Sequence, residues 1–272
     1  MRIITFERNG SVQHGIRKGD TVQLCPDAKS AVDLANNGAP QSGVTVALSE
    51  LKLLPPVPRP GKIICIGLNY RAHAIEGGNA IPDYPAVFMR GGTSIMASGA
   101  DLIYPECSDK LDYEAELAVI IGKTATAVSA ADALNYVAGY SCFNDGSVRD
   151  YQRKSTQWTM GKNFDETGGF GPELVTADEL PAGASGLRLV ARLNGDIMQD
   201  SNTVEMIFDV ATLIATLSEG MTLEPGDVIA TGTPSGVGYA RTPPVFMKPG
   251  DVIEIEIENV GVLTNTVARR GS

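Results

Sequence analysis

Short apolar stretches, many of them alternating with polar positions, dominate this chain and predict strands far more often than helices. Residues 2–24 read as short strands with turns at Asn9-Gly10 and Lys18-Gly19-Asp20, followed by a short helix near 30–36. The run Leu54-Pro55-Pro56-Val57-Pro58-Arg59-Pro60-Gly61 is stiff, because each proline fixes its own backbone and biases the preceding residue toward extended forms. A boundary there divides the chain into a small β-rich N-terminal domain, 1–57, and a main domain, 58–272. In the main domain 62–67 reads as a buried strand and 70–76 as a short helix or mobile loop. Further strands are expected at 86–90, 113–121, 139–144, 187–193, 227–231, 252–258 and 262–268. Helices are expected at 129–137 and 203–218, the second opened by Thr203 and followed by Gly220. Without regular βαβ alternation, a doubly wound parallel sheet is disfavoured and the fold class is α+β.

Two of these strands carry acidic residues at every second position. In the first, Asp112, Glu114 and Glu116 emerge on one side, roughly 6–7 Å apart at each step. Leu111, Tyr113, Ala115, Leu117, Val119 and Ile121 take the other side and belong in a core. Neighbouring carboxylates on a strand entering a core repel each other and lose hydration. A hard divalent cation removes both penalties, since it prefers carboxylate oxygens. The second strand, Asp251 to Glu258, alternates even more cleanly, and a half-solvated sheet produces that pattern with no metal. Its neighbours carry no candidate chemistry, so Glu254, Glu256 and Glu258 are expected to be solvated.

Composition narrows the options. A net charge of −10 with no basic stretch argues against a nucleic-acid partner. Four scattered cysteines without CxxC spacing read as free thiols of a reducing compartment. The amino end has an acid at Glu7 and no signal-peptide core, and no apolar run approaches a membrane span, so a cytoplasmic protein without membrane contact is expected. Only two histidines are present, which excludes a multi-imidazole site. A metal would be held mainly by oxygen, favouring Mg²⁺ (Mg2+), Mn²⁺ or Ca²⁺ over zinc or copper.

Four segments could carry chemistry. His73 and Glu76 are three positions apart, so on a helix they share a face, and a carboxylate beside an imidazole orients it as a general base. Gly77-Gly78 would hinge a lid over a substrate; the plainer alternative is a surface pair on a solvated helix. Asp145 ends a strand where it could be a third metal ligand or the N-cap of a helix carrying Arg149 and Gln152, and arginine suits a substrate carboxylate. Lys162, within Trp158-Thr159-Met160-Gly161-Lys162-Asn163-Phe164-Asp165, could face a bound oxyanion, although its residue context favours the surface. Thr233, in Thr231-Gly232-Thr233-Pro234-Ser235-Gly236-Val237-Gly238, offers a hydroxyl and an amide in a loop that is neither a Walker A nor a GxGxxG motif.

Taken in order, these motifs resemble the fumarylacetoacetate hydrolase family over about residues 58–270. The resemblance rests on Lys62 to Tyr70 with His73 and Glu76, Asp112-Tyr113-Glu114-Ala115-Glu116-Leu117, Asn144-Asp145 with Arg149-Asp150 and Gln152, Lys162 with Phe164-Asp165, and the Thr231–Gly238 loop. It implies a mixed β-roll, usually a homodimer, with one divalent ion held by Glu114, Glu116 and Asp145. It also implies a His73–Glu76 dyad on a lid that orders on substrate binding. Lys162 would stabilise negative charge near the metal, while Arg149, Gln152 and Thr233 would contact a small 2-oxo acid. The leading expectation is a metal-dependent hydrolase that cleaves a C–C bond of an acylpyruvate-type β-diketo acid through a metal-bound pyruvate enolate. The alternatives are an oxaloacetate (β-keto acid) decarboxylase or an enol–keto isomerase of aromatic catabolism. A non-catalytic small-acid binder is disfavoured, because every expected polar residue is present.

Overall fold

The structure, a computed structural model, describes residues 1–38 and 43–271. Twelve strands form one mixed sheet. Its main order is Thr45–Ala47, Thr21–Leu24, Ser11–Lys18, Arg2–Arg8, Gly168–Thr176, Val137–Asn144, Ala115–Ile121, Val228–Ala230, Ile63–Gly67 and Ala86–Arg90. A second sheet holds Asp196–Asn202, Arg188–Leu193, Val252–Ile257, Gly261–Ala268 and Asp101–Ile103. Most neighbours run antiparallel; Ile63–Gly67 runs parallel to Val228–Ala230. The expected α+β class and mixed roll hold. The amino-terminal strands extend the same sheet, since Arg2 pairs with Val175 and Ile3 with Leu174.

The main core lies between the sheets. Leu117, Val119 and Ile121 share one buried cluster with Leu189, Ile253, Ile255 and Leu263 of the second sheet, and with Leu213 and Leu217 of the helix Val210–Gly220. On the opposite face of the same strand, Ala118 and Ile120 are buried with Cys65, Val228 and Leu34. Ala115–Ile121 is therefore a central strand covered on both sides, which keeps water from the acids at its start.

Several elements differ from expectation. Residues 203–218 do not form one helix: Thr203–Glu205 is a 3₁₀ turn and the helix begins at Val210. Asp209 caps it, accepting the Thr212 N–H at 2.8 Å. Asn69 holds the backbone between, taking Ile207 N–H on its carbonyl and Phe208 N–H on its side chain. Residues 129–137 give only the 3₁₀ turn Ala133–Tyr136, because Val137 is drawn into pairing with Ile121. Gly168–Thr176, for which no strand was expected, lies inside the large sheet. Its glycines leave room for partners: a Cβ on Gly169 would sit 2.6 Å from Asn265 Oδ1, and one on Gly168 2.8 Å from Arg90 Nη2.

Candidate active site

The strand expected over 113–121 begins only at Ala115, and the break ahead of it builds the site. Leu111–Asp112 pairs with Ser147–Val148, while Ala115–Ile121 pairs with Val137–Asn144. Between them Glu114 donates its N–H to Asn144 Oδ1 at 3.0 Å and accepts Asp145 N–H at 2.9 Å. Glu114 thus lies across from Asp145, and Glu116 follows on the same face. Ligand oxygens of Glu114, Glu116 and Asp145 all lie within 4.8 Å of one another; no second such group exists among the described residues. Asp145 is not a helix cap, since Val148 precedes the helix Arg149–Gln152. Asp112 stays outside the group: its carboxylate accepts Gly238 N–H at 2.8 Å, Tyr239 N–H at 3.0 Å and Arg149 Nε at 2.8 Å.

Lys162 is only 2% exposed, so its surface alternative fails. Its Nζ donates to Glu114 Oε2 at 2.7 Å and Asp145 Oδ2 at 2.6 Å. Gly161 permits this approach, because a Cβ there would lie 2.4 Å from the Gln152 backbone. Arg149 pairs with Glu114 at 2.7 Å and donates Nη1 to Gln152 Oε1 at 3.0 Å. Behind the triad, Arg90 donates to Asp145 Oδ1 at 2.5 Å, to Gly146 O at 3.0 Å and to Thr167 Oγ1 at 2.9 Å. Arg90 escaped the sequence reading, although it shares the parity of inward-facing Ala86 and Phe88 on its strand.

Four buried carboxylates (Asp112, Glu114, Glu116, Asp145) thus face three buried cations (Arg90, Arg149, Lys162), leaving one negative charge over. Glu116 bears that surplus. Burial, then the charges of Asp145 and Glu114, push its carboxyl well above the usual range, against the single N–H of Gly232 at 2.9 Å. Burial works the same way on Glu114 but is outweighed by Lys162, Arg149 and His73, which hold it down at about 2. Burial disfavours the Lys162 ammonium, and Asp145 and Glu114 outweigh that and raise it. A hard divalent cation among the three carboxylates would relieve Glu116, and an all-oxygen donor set suits such an ion. The residues fit it.

The helix Arg71–Glu76 carries the second group. His73 Nδ1 lies 2.9 Å from Glu76 Oε1; a carboxylate only accepts, so Nδ1 donates, and in the neutral ring the lone pair is then on Nε2. His73 is 6% exposed, which overturns the solvated alternative for the imidazole, while Glu76 lies on the exposed side of the helix. Glu76 also accepts Gly236 N–H at 3.0 Å, docking the helix on the loop that holds Thr233. Thr233 Oγ1 accepts from Gln199 Nε2 at 2.8 Å, and Gln199 Oε1 accepts Ala115 N–H at 2.9 Å. Gln199 was missed because its strand, Asp196–Asn202, was not recognised.

A cavity of about 360 Å³ is lined by His73, Glu114, Glu116, Arg149, Gln152, Lys162 and Thr233. Glu76 and Asp145 stand behind that lining, bonded to His73 and Lys162. The second acidic strand behaves as expected: Ile253, Ile255 and Ile257 are buried, Glu254 and Glu256 are half-buried, and Glu258 is exposed. Glu256 pairs with Arg192 at 2.5 Å. Among the described residues no helix is long and apolar enough to cross a membrane.

The β-roll thus joins a carboxylate cradle to arginine and lysine donors in the lining of one cavity. Residues 62–268 match the family model described as fumarylacetoacetate (FAA) hydrolase C-terminal, and residues 1–56 match Rv2993c-like, N-terminal. The chain belongs to the fumarylacetoacetate hydrolase family. It is 42% identical over 264 residues to oxaloacetate tautomerase YisK of Bacillus subtilis, covering 95% of this chain and 86% of that protein. It is 41% identical over 247 residues to the mitochondrial oxaloacetate tautomerase Fahd2a of Rattus norvegicus, covering 90% and 79%. Among solved structures, a fumarylacetoacetate hydrolase from Exiguobacterium antarcticum superposes with a TM-score of 0.87 at 36% identity, covering 99% of this chain and 100% of that one. A 5-carboxymethyl-2-hydroxymuconate delta-isomerase from Mycobacterium smegmatis gives 0.85 at 32% identity, with the same coverage.

Proposed function

We propose that this protein is a divalent-metal-dependent enol–keto tautomerase of small 2-oxo acids, with oxaloacetate as its first candidate substrate. The observation that carries this reading is the pairing of a proton carrier, His73, with a buried ammonium, Lys162, in the lining of one anion-sized cavity. The tautomerase relatives support the same choice over the hydrolase expected from the motifs.

Glu114, Glu116 and Asp145 would hold the cation, which when bound polarises the 2-oxo oxygen and offsets charge there. The chain's residues do the rest. Arg149 and Thr233 orient the acid. His73 Nε2 takes the proton from the C2 hydroxyl of the enol and returns it to C3; the O–H bond breaks, a C3–H bond forms, and the C2–C3 double bond becomes the C2 carbonyl. The negative charge passing through the C2 oxygen faces the Lys162 ammonium. Glu76 keeps Nδ1 protonated, so Nε2 is the working atom. Docking of Glu76 on Gly236 closes the helix over the cavity and limits water.

A second reading stays in view because a His–Glu pair also suits activation of water: cleavage of an acylpyruvate, with His73 Nε2 taking a proton from water as it attacks C4. Enol-oxaloacetate decay and acylpyruvate loss, each followed by ultraviolet absorbance with and without Mg²⁺, separate the two. Mg²⁺-dependent acceleration of enol decay is expected. Decay no faster than in buffer would overturn the tautomerase reading, and acylpyruvate cleavage as the faster reaction would replace it with the hydrolase.

A further inference from the structure

The cations that line the cavity are not equivalent. Lys162 is paired with Glu114 and Asp145, and Arg149 with Asp112 and Glu114. Arg153, exposed at the cavity rim, has no carboxylate partner among the described residues. Its guanidinium is held instead over the Tyr239 ring, 4.5 Å from the centroid, and Arg149 approaches the same ring at 4.5 Å. Two guanidiniums gathered on one ring repel each other; the ring's quadrupole, Asp112 and Glu114 offset Arg149, and no acid among the described residues offsets Arg153. Arg149 Nη2, buried, has no hydrogen-bond partner among the described residues. The carbonyl of Gln152 accepts from Arg149, which leaves its amide NH₂ to donate. Arg149 and Gln152 lie three apart on one helical turn, Arg153 caps it, and all three line the cavity, so these donors converge.

Charge gives the chemistry of what they meet. The buried groups around the triad carry one surplus negative charge, which a divalent cation turns into one surplus positive charge. That matches the carboxylate at the 2-oxo end of a substrate. Arg153 adds a second unmatched positive charge at the rim, together with a bidentate donor geometry.

We propose that Arg153, held by Tyr239 beside Arg149 and Gln152, reads a second carboxylate at the far end of the substrate and makes the site selective for 2-oxo diacids over monoacids. This rests on the tautomerase reading only in placing the 2-oxo end at the acidic triad. Arg153 acts in selection and Tyr239 positions it.

The test uses binding. Trp158, the chain's one tryptophan, lines the cavity, so its fluorescence reports occupancy. The Mg²⁺-loaded protein is titrated with oxaloacetate and with 2-oxobutyrate, which has the same chain length with a methyl in place of the far carboxylate. The wild-type protein is expected to prefer the diacid by about tenfold or more, in line with one charge-assisted hydrogen-bond pair. In Arg153→Gln that preference should fall to about twofold, with 2-oxobutyrate binding changed less than about twofold. Tyr239→Leu should lose the preference as well and Tyr239→Phe should keep it, which a general packing defect would not do. Raised salt should weaken diacid binding more than monoacid binding. A diacid preference that survives Arg153→Gln, or none in the wild type, overturns the subsite while leaving the tautomerase reading in place. Failure of both acids to bind the wild-type protein overturns the two together.

Discussion

Replacing Arg90 by methionine tests the charge architecture most directly. The Arg90 side chain is fully buried against an equally buried Asp145. Methionine keeps much of the volume but removes the donors to Asp145, Gly146, Thr167 and Ser94. Breaking a buried pair by deleting one partner costs about 3–5 kcal/mol, chiefly because the other charge is stranded. Asp145 retains Lys162 at 2.6 Å, which places the expected loss at the lower end, about 3 kcal/mol. At roughly 2–4 °C per kcal/mol for a chain of this size, Tm should fall by roughly 6–12 °C. Urea unfolding of metal-free protein gives the free energy, and the same change made in an Asp145→Asn background gives the coupling. In that background no charge is stranded, so Arg90→Met should cost at least about 1.5 kcal/mol less. A cost below about 1 kcal/mol, or an equal cost in both backgrounds, would refute the idea that Arg90 acts through Asp145.

Glu116→Gln should weaken Mg²⁺ binding by about tenfold or more in calorimetry, whereas Glu256→Gln should leave it within about twofold; the reverse order would mean that the wrong acidic strand was chosen. His73→Ala and Glu76→Ala should each lower kcat by roughly 10²–10⁴ while Mg²⁺ affinity survives, and a parallel loss of metal binding would tie the dyad to the triad instead. Burial lowers the pKa of His14 from its usual 6.5, partly opposed by Asp33. With a depressed folded-state pKa, the unfolded chain takes up the proton first as pH falls below about 6.5, so the native state loses stability on the acid side. Urea unfolding between neutral and mildly acidic pH should show a steeper loss in the wild type than in His14→Gln; equal slopes would remove His14 as a source of acid sensitivity.

The site was legible where local pattern and chemistry coincide. Glu114 and Glu116 could be placed together because a spacing of two keeps them on one face at the start of the strand, and His73 could be joined to Glu76 because a spacing of three does so on a helix. Asp112 shared the spacing of two yet turned elsewhere, because the strand breaks at Tyr113–Glu114 to satisfy Asn144 and Asp145, contacts about thirty positions away. Lys162 read as a surface residue because its burial depends on acids distant in sequence. The strand Gly168–Thr176 was hidden for a related reason: glycines there look like a loop but serve the close approach of Arg90 and Asn265. Thr203 drew the helix start seven residues early because Asn69, not local propensity, holds the backbone ahead of Asp209.

The pairing of Arg2–Arg8 with Gly168–Thr176 also sets a timetable for synthesis. The first strand leaves the ribosome with its hairpin partner Ser11–Lys18 close behind; on its other edge Phe6 and Glu7 pair with the nearby Leu53 and Lys52, while Arg2 and Ile3 wait for residues far down the chain. At about 5–20 residues per second, that end of the edge stays uncovered for roughly 8–35 seconds. Meanwhile Ile3, which pairs with Leu174 and is fully buried in the finished sheet, stands open to any other strand. Slowing elongation between the two strands should therefore lower the yield of native protein without altering its final stability.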